Sequence, residues 1–402
     1  LGHAVSTARE LGLPFRAADV VPGPNPSPKE NGALAVIRLA RLVNERRGDK
    51  LDGLEGLDGL KLAEAVGRSS DILAAAEEAA RFKKLDFERD WDLGPFLNFP
   101  EHGAAVSGAR LLCARSRLRA LWGDVAGSLA DLERALSLGR LIAQDPVVPA
   151  LLAGMEVESL VLRTTIGNAW IWRGRPRALG QIRPHDGADL SAMLARSLRG
   201  EMYKAVSLAR NFRSFTDRAR RGTSAGVPAR IVRSHVPSDP EAQVFLAEAL
   251  RAWSAAYASA SRPESPVRDV ARRFHWSGFP SHRWGILGAW GQVTRPPILA
   301  ACDAVESIEA QRAVTEACVA LIKWREERGR WPLSLAEAGL ELFDPIDWRP
   351  LRYRNMGGSV RVWSVGPDRV DGGGVHNVAI GHGLTADAGA VGDVAAVLPP
   401  DR

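Results

Sequence analysis

Apolar residues recur at helical spacing along most of this chain, and at Gly329 the period changes. From Ile298 to Arg328, positions such as Leu299, Val305, Ile308, Val314, Cys318, Leu321 and Ile322 trace the longest candidate helix in the sequence. Gly329-Arg330-Trp331-Pro332 stops it, because glycine accepts the left-handed turn after a helix and proline cannot continue one. Beyond it, Leu351–Arg354 and Val360–Ser364 alternate apolar and polar residues as paired strands do, with Asn355-Met356-Gly357-Gly358 between them as the hairpin turn. A period of two is incompatible with a helix. The expected fold is therefore mainly α: a multi-helix body followed by a small C-terminal α+β module of one long helix and a short antiparallel sheet.

Three regions follow from this division. Residues 1–29 form a leading helix, Ala4 to Leu11, and an extended spacer containing Pro22, Pro24, Pro26 and Pro28. Residues 30–297 form the helical body, closed by a connector from Ser261 to Pro297 that is rich in proline, glycine and aromatics (Trp276, Phe279, Trp284, Trp290). Residues 298–402 form the terminal module. In the body, helices are expected over Glu30–Asn44, Ile72–Phe82 behind a Ser70-Asp71 cap, Gly103–Leu121, Val147–Trp172, Leu190–Asn211 and Glu241–Tyr257. Thr216–Pro240 reads as a surface loop. The stretch from Gly123-Asp124 through Ala135 to Asp145-Pro146 resembles one tetratricopeptide-like helical hairpin, which lends the body a distant flavour of that packing.

With 402 residues, 46% of them hydrophobic and 25% charged, the chain can bury a substantial core and wholesale disorder is excluded. Cys302 and Cys318 share one helix too far apart to bridge, and Cys113 has no obvious partner, so no disulfide framework exists. No Cys/His spacing suits zinc. No apolar run reaches the roughly 18–20 residues that a membrane-spanning helix needs. Because the chain opens on Leu1 rather than Met, a leader or membrane anchor upstream is the expectation.

The net charge of +6 is a weak argument for nucleic acid, but the excess is local. Ten Lys and Arg residues between Arg196 and Arg233 face only Glu201 and Asp217. The plain reading is a basic surface; the sharper one is contact with an anionic lipid, polymer or nucleic acid. No nucleophile elbow, P-loop or dinucleotide fingerprint is present. The histidine pairs His275/His282 and His376/His382 lack helical metal spacing. Glu156 and Glu158 point to different sides of one helix, where pairing with Arg163 or surface exposure explains them. No catalytic residue is assigned.

The C-terminal segment resembles the major pseudopilins of type II secretion. The residues that carry the likeness are Gly329-Arg330-Trp331-Pro332, Asp344-Pro345 and Ser364-Val365-Gly366-Pro367-Asp368, in that order. Trp331 stands where the family has Tyr, and Ile346 where it has an aromatic, with Trp348 following later. The wider layout, with Pro28-Lys29-Glu30-Asn31 ahead of the helices, is similar to bacterial envelope proteins that join a helical region to such a terminus and are anchored by an N-terminal helix.

The resemblance implies a calcium loop. Asp368 is carried over directly, Ser364 opens the loop, Asp371 lies within it, and Asp393 takes the place of a third carboxylate. Two departures stand against it: Arg369 replaces a glycine, and the loop before Asp393 is longer. The plain alternative is a Gly/Asp turn whose carboxylates bond loop amides. The functional expectation is a non-enzymatic structural or protein-interaction component of the bacterial cell envelope, associated with secretion or pili. Its place would be extracytoplasmic and membrane-anchored in the full-length protein, with a protein partner rather than nucleic acid. The alternative is an envelope hydrolase with a site between helices and no linear motif.

Overall fold

The structure, a computed structural model, describes residues 2–21, 25–46, 53–182, 189–220, 238–261, 270, 281–374 and 392–399. Its helices are α1 (Gly2–Glu10), α2 (Ala33–Glu45), α3 (Gly59–Arg68), α4 (Ser70–Ala79), α5 (Pro100–Trp122), α6 (Val125–Ile142), α7 (Val148–Ile171), α8 (Pro176–Leu179), α9 (Leu190–Arg220), α10 (Asp239–Ala260) and α11 (Ser281–Arg328). Strands β1 (Arg352–Asn355), β2 (Val360–Ser364) and β3 (Val394–Leu398) follow as one antiparallel sheet in the order β1-β2-β3.

Helix α7 organises the molecule. Its sequence is apolar nearly all round, and such a helix is stable only when covered on every side. It packs against α5, α6, α9 and α11 and supplies residues to three hydrophobic cores. One core joins Val148, Leu151 and Met155 to α1, α9, α10 and the Ile298–Ile308 part of α11. A second joins Val157 and Val161 to α2 through α6. The third joins Leu162, Ile166 and Trp170 to α8, to the Ala310–Ile322 part of α11 and to the sheet. Helices α6 and α7 cross closely because Gly139 and Gly154 face each other: a Cβ on Gly154 would sit 3.0 Å from the Gly139 carbonyl oxygen.

Polar contacts fix the register of α7 on α11. Arg312 grips Glu158 through both Nε and Nη2, the latter at 3.0 Å, and Ser159 donates to Gln311 at 2.7 Å. Glu156 pairs instead with Arg110 of α5. The two glutamates do point apart, and Arg110 and Arg312, which pair with them, come from other helices.

The sheet lies on the C-terminal half of α11, burying Val360 and Val362 of β2 and Val394, Ala396 and Leu398 of β3. The hairpin is the one read from the sequence, closed by Met356 N–H donating to Ser359 O and Gly357 N–H donating to Asn355 Oδ1. Strand β3 was not expected.

Several boundaries differ from expectation. The long helix begins at Ser281 and runs through Pro296-Pro297, so the second half of the anticipated connector is helix; Trp276 and Phe279 lie outside the described residues. Helix α9 continues to Arg220 across a break at Asn211, where a loop was expected from Thr216. Ser69, not Ser70, caps α4, and it does so without a side-chain hydrogen bond. Of the spacer prolines, Pro26 and Pro28 are described, while Pro22 and Pro24 lie outside the described residues, as do His275 and His376.

Candidate functional site

Asp344 is the hub of the C-terminal module. It is 0% exposed, an arrangement a carboxylate tolerates only when its oxygens are well bonded. Oδ1 accepts from Ile346 N–H at 3.0 Å and from the Ser364 hydroxyl at 2.8 Å; Oδ2 accepts from Val365 N–H at 2.9 Å and from Arg352 Nη1 at 2.5 Å. Arg352 turns its remaining edge to Asp347, whose carboxyl that hydrogen bond holds below the usual range. The Asp-Pro loop is thereby clamped to the end of β2.

The other predicted ligands stand in the loop after β2. Gly366 has φ +65, and a Cβ there would lie 1.7 Å from the Gly392 carbonyl oxygen, so the strand end can approach β3 only through glycine. Asp368 is exposed and accepts from Val370 N–H at 3.0 Å. Asp371 accepts from the Trp363 indole at 2.9 Å and from Gly373 N–H at 3.0 Å, bonds that hold its carboxyl below the usual range. Asp393, 4% exposed, accepts from Gly372 N–H at 3.2 Å and Gly374 N–H at 2.7 Å. Burial raises the Asp393 carboxyl above its ordinary value despite those two bonds, and the charges of Asp371 and Asp368 push the same way.

Asp368, Asp371 and Asp393 thus share one loop cluster, whereas Ser364 faces Asp344. Their bonded oxygens take loop amides and an indole, and Oδ2 of Asp371 lies 3.8 Å from the Arg352 guanidinium. Among the described residues no group of three or more His, Cys, Asp or Glu side chains is disposed to hold a metal ion. Calcium needs six to eight oxygens at about 2.3–2.6 Å, and among the described residues the Asp371 and Asp393 oxygens that are bonded face loop amides and the indole. Arg369 leaves the loop altogether: at φ 62 it occupies a conformation that suits glycine, and its guanidinium bonds Ile346 O and Glu306 of α11, the latter at 2.7 Å.

Two features escaped sequence reasoning. Trp348, on the Asp-Pro loop, is 76% exposed with φ 60, held by its N–H on Asp344 O at 2.9 Å. Exposed Phe343 lies at the same loop end, through its bridge to Pro350. Ile346 on the same loop is buried instead. The second feature is a buried cluster in which Asp145 accepts from Arg89 at 2.7 Å and pairs with His102 Nε2 at 2.8 Å, while Phe99 stacks on the imidazole. Its members are covered by protein, which makes it a brace rather than an accessible acid–base pair. Neither feature has a linear signal. Comparison with family models, with curated proteins and with solved structures finds no match to this chain.

Proposed function

We propose that the protein is a non-enzymatic structural and protein-interaction component of the bacterial cell envelope, associated with secretion or pilus assembly. In this reading it is extracytoplasmic and membrane-anchored in its full-length form. The long helix and three-stranded sheet make up a pilin-like module, and the stretch from Gly123 to Pro146, which holds α6, is a distant tetratricopeptide-like element of the body.

The observation that carries the reading is Trp348. A large aromatic held in water, at a left-handed backbone angle, on a loop braced by Asp344 and Arg352, is costly for folding and useful for binding. Phe343 beside it supplies a second apolar contact, and rigid aromatics of this kind are the usual anchors of protein interfaces. The partner is a protein with a complementary apolar pocket. Among the described residues no helix is long and apolar enough to cross a membrane, which leaves anchoring to be tested on the full-length product.

The test is site-specific photo-cross-linking from position 348 in cells, combined with fractionation. One discrete protein adduct in the envelope fraction, lost when Phe343 is changed to Ser, is expected. Recovery of the full-length protein only in the cytosol, without an adduct, would remove the proposal.

A further inference from the structure

We infer that the cavity between the N-terminal segment and α9 is a binding site for a phosphate-bearing ligand. The cavity has a volume of about 720 Å³, within the range of small-molecule sites, and its wall includes Arg9, Arg16, Arg199, Arg210, Phe15 and Asp19. Four arginines against one aspartate leave an excess of three positive charges on the wall. Asp19 is engaged by Arg16 at 3.1 Å.

Arg199 is the built part of the site. It is 9% exposed, and its guanidinium donates to the carbonyls of Gly12 at 2.6 Å, Asp19 at 2.7 Å and Val20 at 3.4 Å. Those bonds orient the side chain but bring no countercharge, and two of its five N–H groups are left over. A buried cation held by carbonyls alone is expensive unless an anion joins it. Arg210 is likewise fixed by a carbonyl, that of Phe15 at 2.7 Å, and Arg9 lies over the Phe15 ring at 5.5 Å. None of these three arginines has a carboxylate partner among the described residues.

The basic run singled out in the sequence therefore divides. Lys204 turns inward to Glu201 at 2.6 Å, whereas Arg199 and Arg210, eleven positions and so three turns apart, share the face of α9 toward the cavity. A rise of roughly 16 Å between them suits an elongated ligand with more than one phosphate. Planar guanidinium groups match phosphate oxygens two at a time, which favours this chemistry over a single carboxylate.

The test titrates inorganic pyrophosphate, and separately vesicles with and without phosphatidic acid, into the full chain at low and moderate salt. Saturable pyrophosphate binding, weakened at least tenfold by Arg210→Gln and by Arg9→Gln with unchanged melting curves, is expected. Binding confined to phosphatidic acid vesicles, with the same loss in the variants, supports the same phosphate chemistry and assigns it to a lipid headgroup. No binding to either probe, or binding that both variants leave intact, overturns the inference.

Discussion

Ser364 donates its hydroxyl hydrogen to Oδ1 of Asp344 at 2.8 Å, joining the Asp-Pro loop to the end of β2. This contact gives Ser364 a structural role and makes Asp344 the residue on which the module depends. Asp344→Ala leaves Arg352 and two backbone N–H groups without their shared acceptor, at a cost of about 3–5 kcal/mol. Ser364→Ala removes one neutral-to-charged hydrogen bond, worth about 1.5–3 kcal/mol, and with it the hydroxyl that accepts from Gly366 N–H. Chemical denaturation of both variants and their double mutant measures the coupling. Equal and additive losses would contradict the shared hub.

The same geometry predicts the response to calcium. Asp368, Asp371 and Asp393 are satisfied by loop amides and an indole, so added calcium should leave the melting midpoint unchanged. A ligand at a hundredfold excess over its dissociation constant would stabilise the fold by about 2.7 kcal/mol, a readily seen rise. Such a rise, abolished by Asp368→Ala, would establish the calcium loop instead.

What was legible in the sequence was whatever depends on local period. The α5, α7 and α10 segments, the stop at Gly329 and the β1–β2 hairpin carry their own apolar spacing or turn residues. Strand β3 is short and reads Val-Ala-Ala-Val-Leu, without alternation, because both its faces are buried. The start of α11 was hidden by Pro296-Pro297, which sequence reasoning treats as a break. The site was legible only as a set of nearby carboxylates. The donors that occupy them, and the Arg312–Glu158 and Arg89–Asp145 pairs, are tertiary choices between positions far apart in the chain.

The cysteines offer a test of the cores. Burial pushes the Cys302 thiol up to about 12, with Asp303 and Glu306 adding to it, and burial alone pushes Cys318 up to about 12. Cys113 is buried in the core around α5. Since the thiolate is the reactive form, a thiol reagent at mildly alkaline pH should modify none of the three cysteines in the native protein and all three after denaturation. Rapid native labelling of Cys318 would mean that α11 does not pack on the third core.

The acid limb of the stability curve should carry the signature of Asp145. Burial would raise its carboxyl, but the hydrogen bonds and charges of His102 and Arg89 outweigh burial and hold it below the ordinary 3.8. A carboxyl lowered by folding contributes stability that is complete above its unfolded value and is lost as pH falls through its folded value. The loss from this group therefore falls below about pH 4. Asp145→Asn keeps the shape, removes the charge and leaves Arg89 buried against Phe87 and Phe99 without its main anion. The variant should be about 3–5 kcal/mol less stable near neutral pH. It should also show a shallower decline below pH 4, because the titrating group is gone. Denaturant unfolding of both proteins across the acid range measures the two slopes. Parallel slopes would show that the Arg89–Asp145 pair does not set the acid stability of this fold.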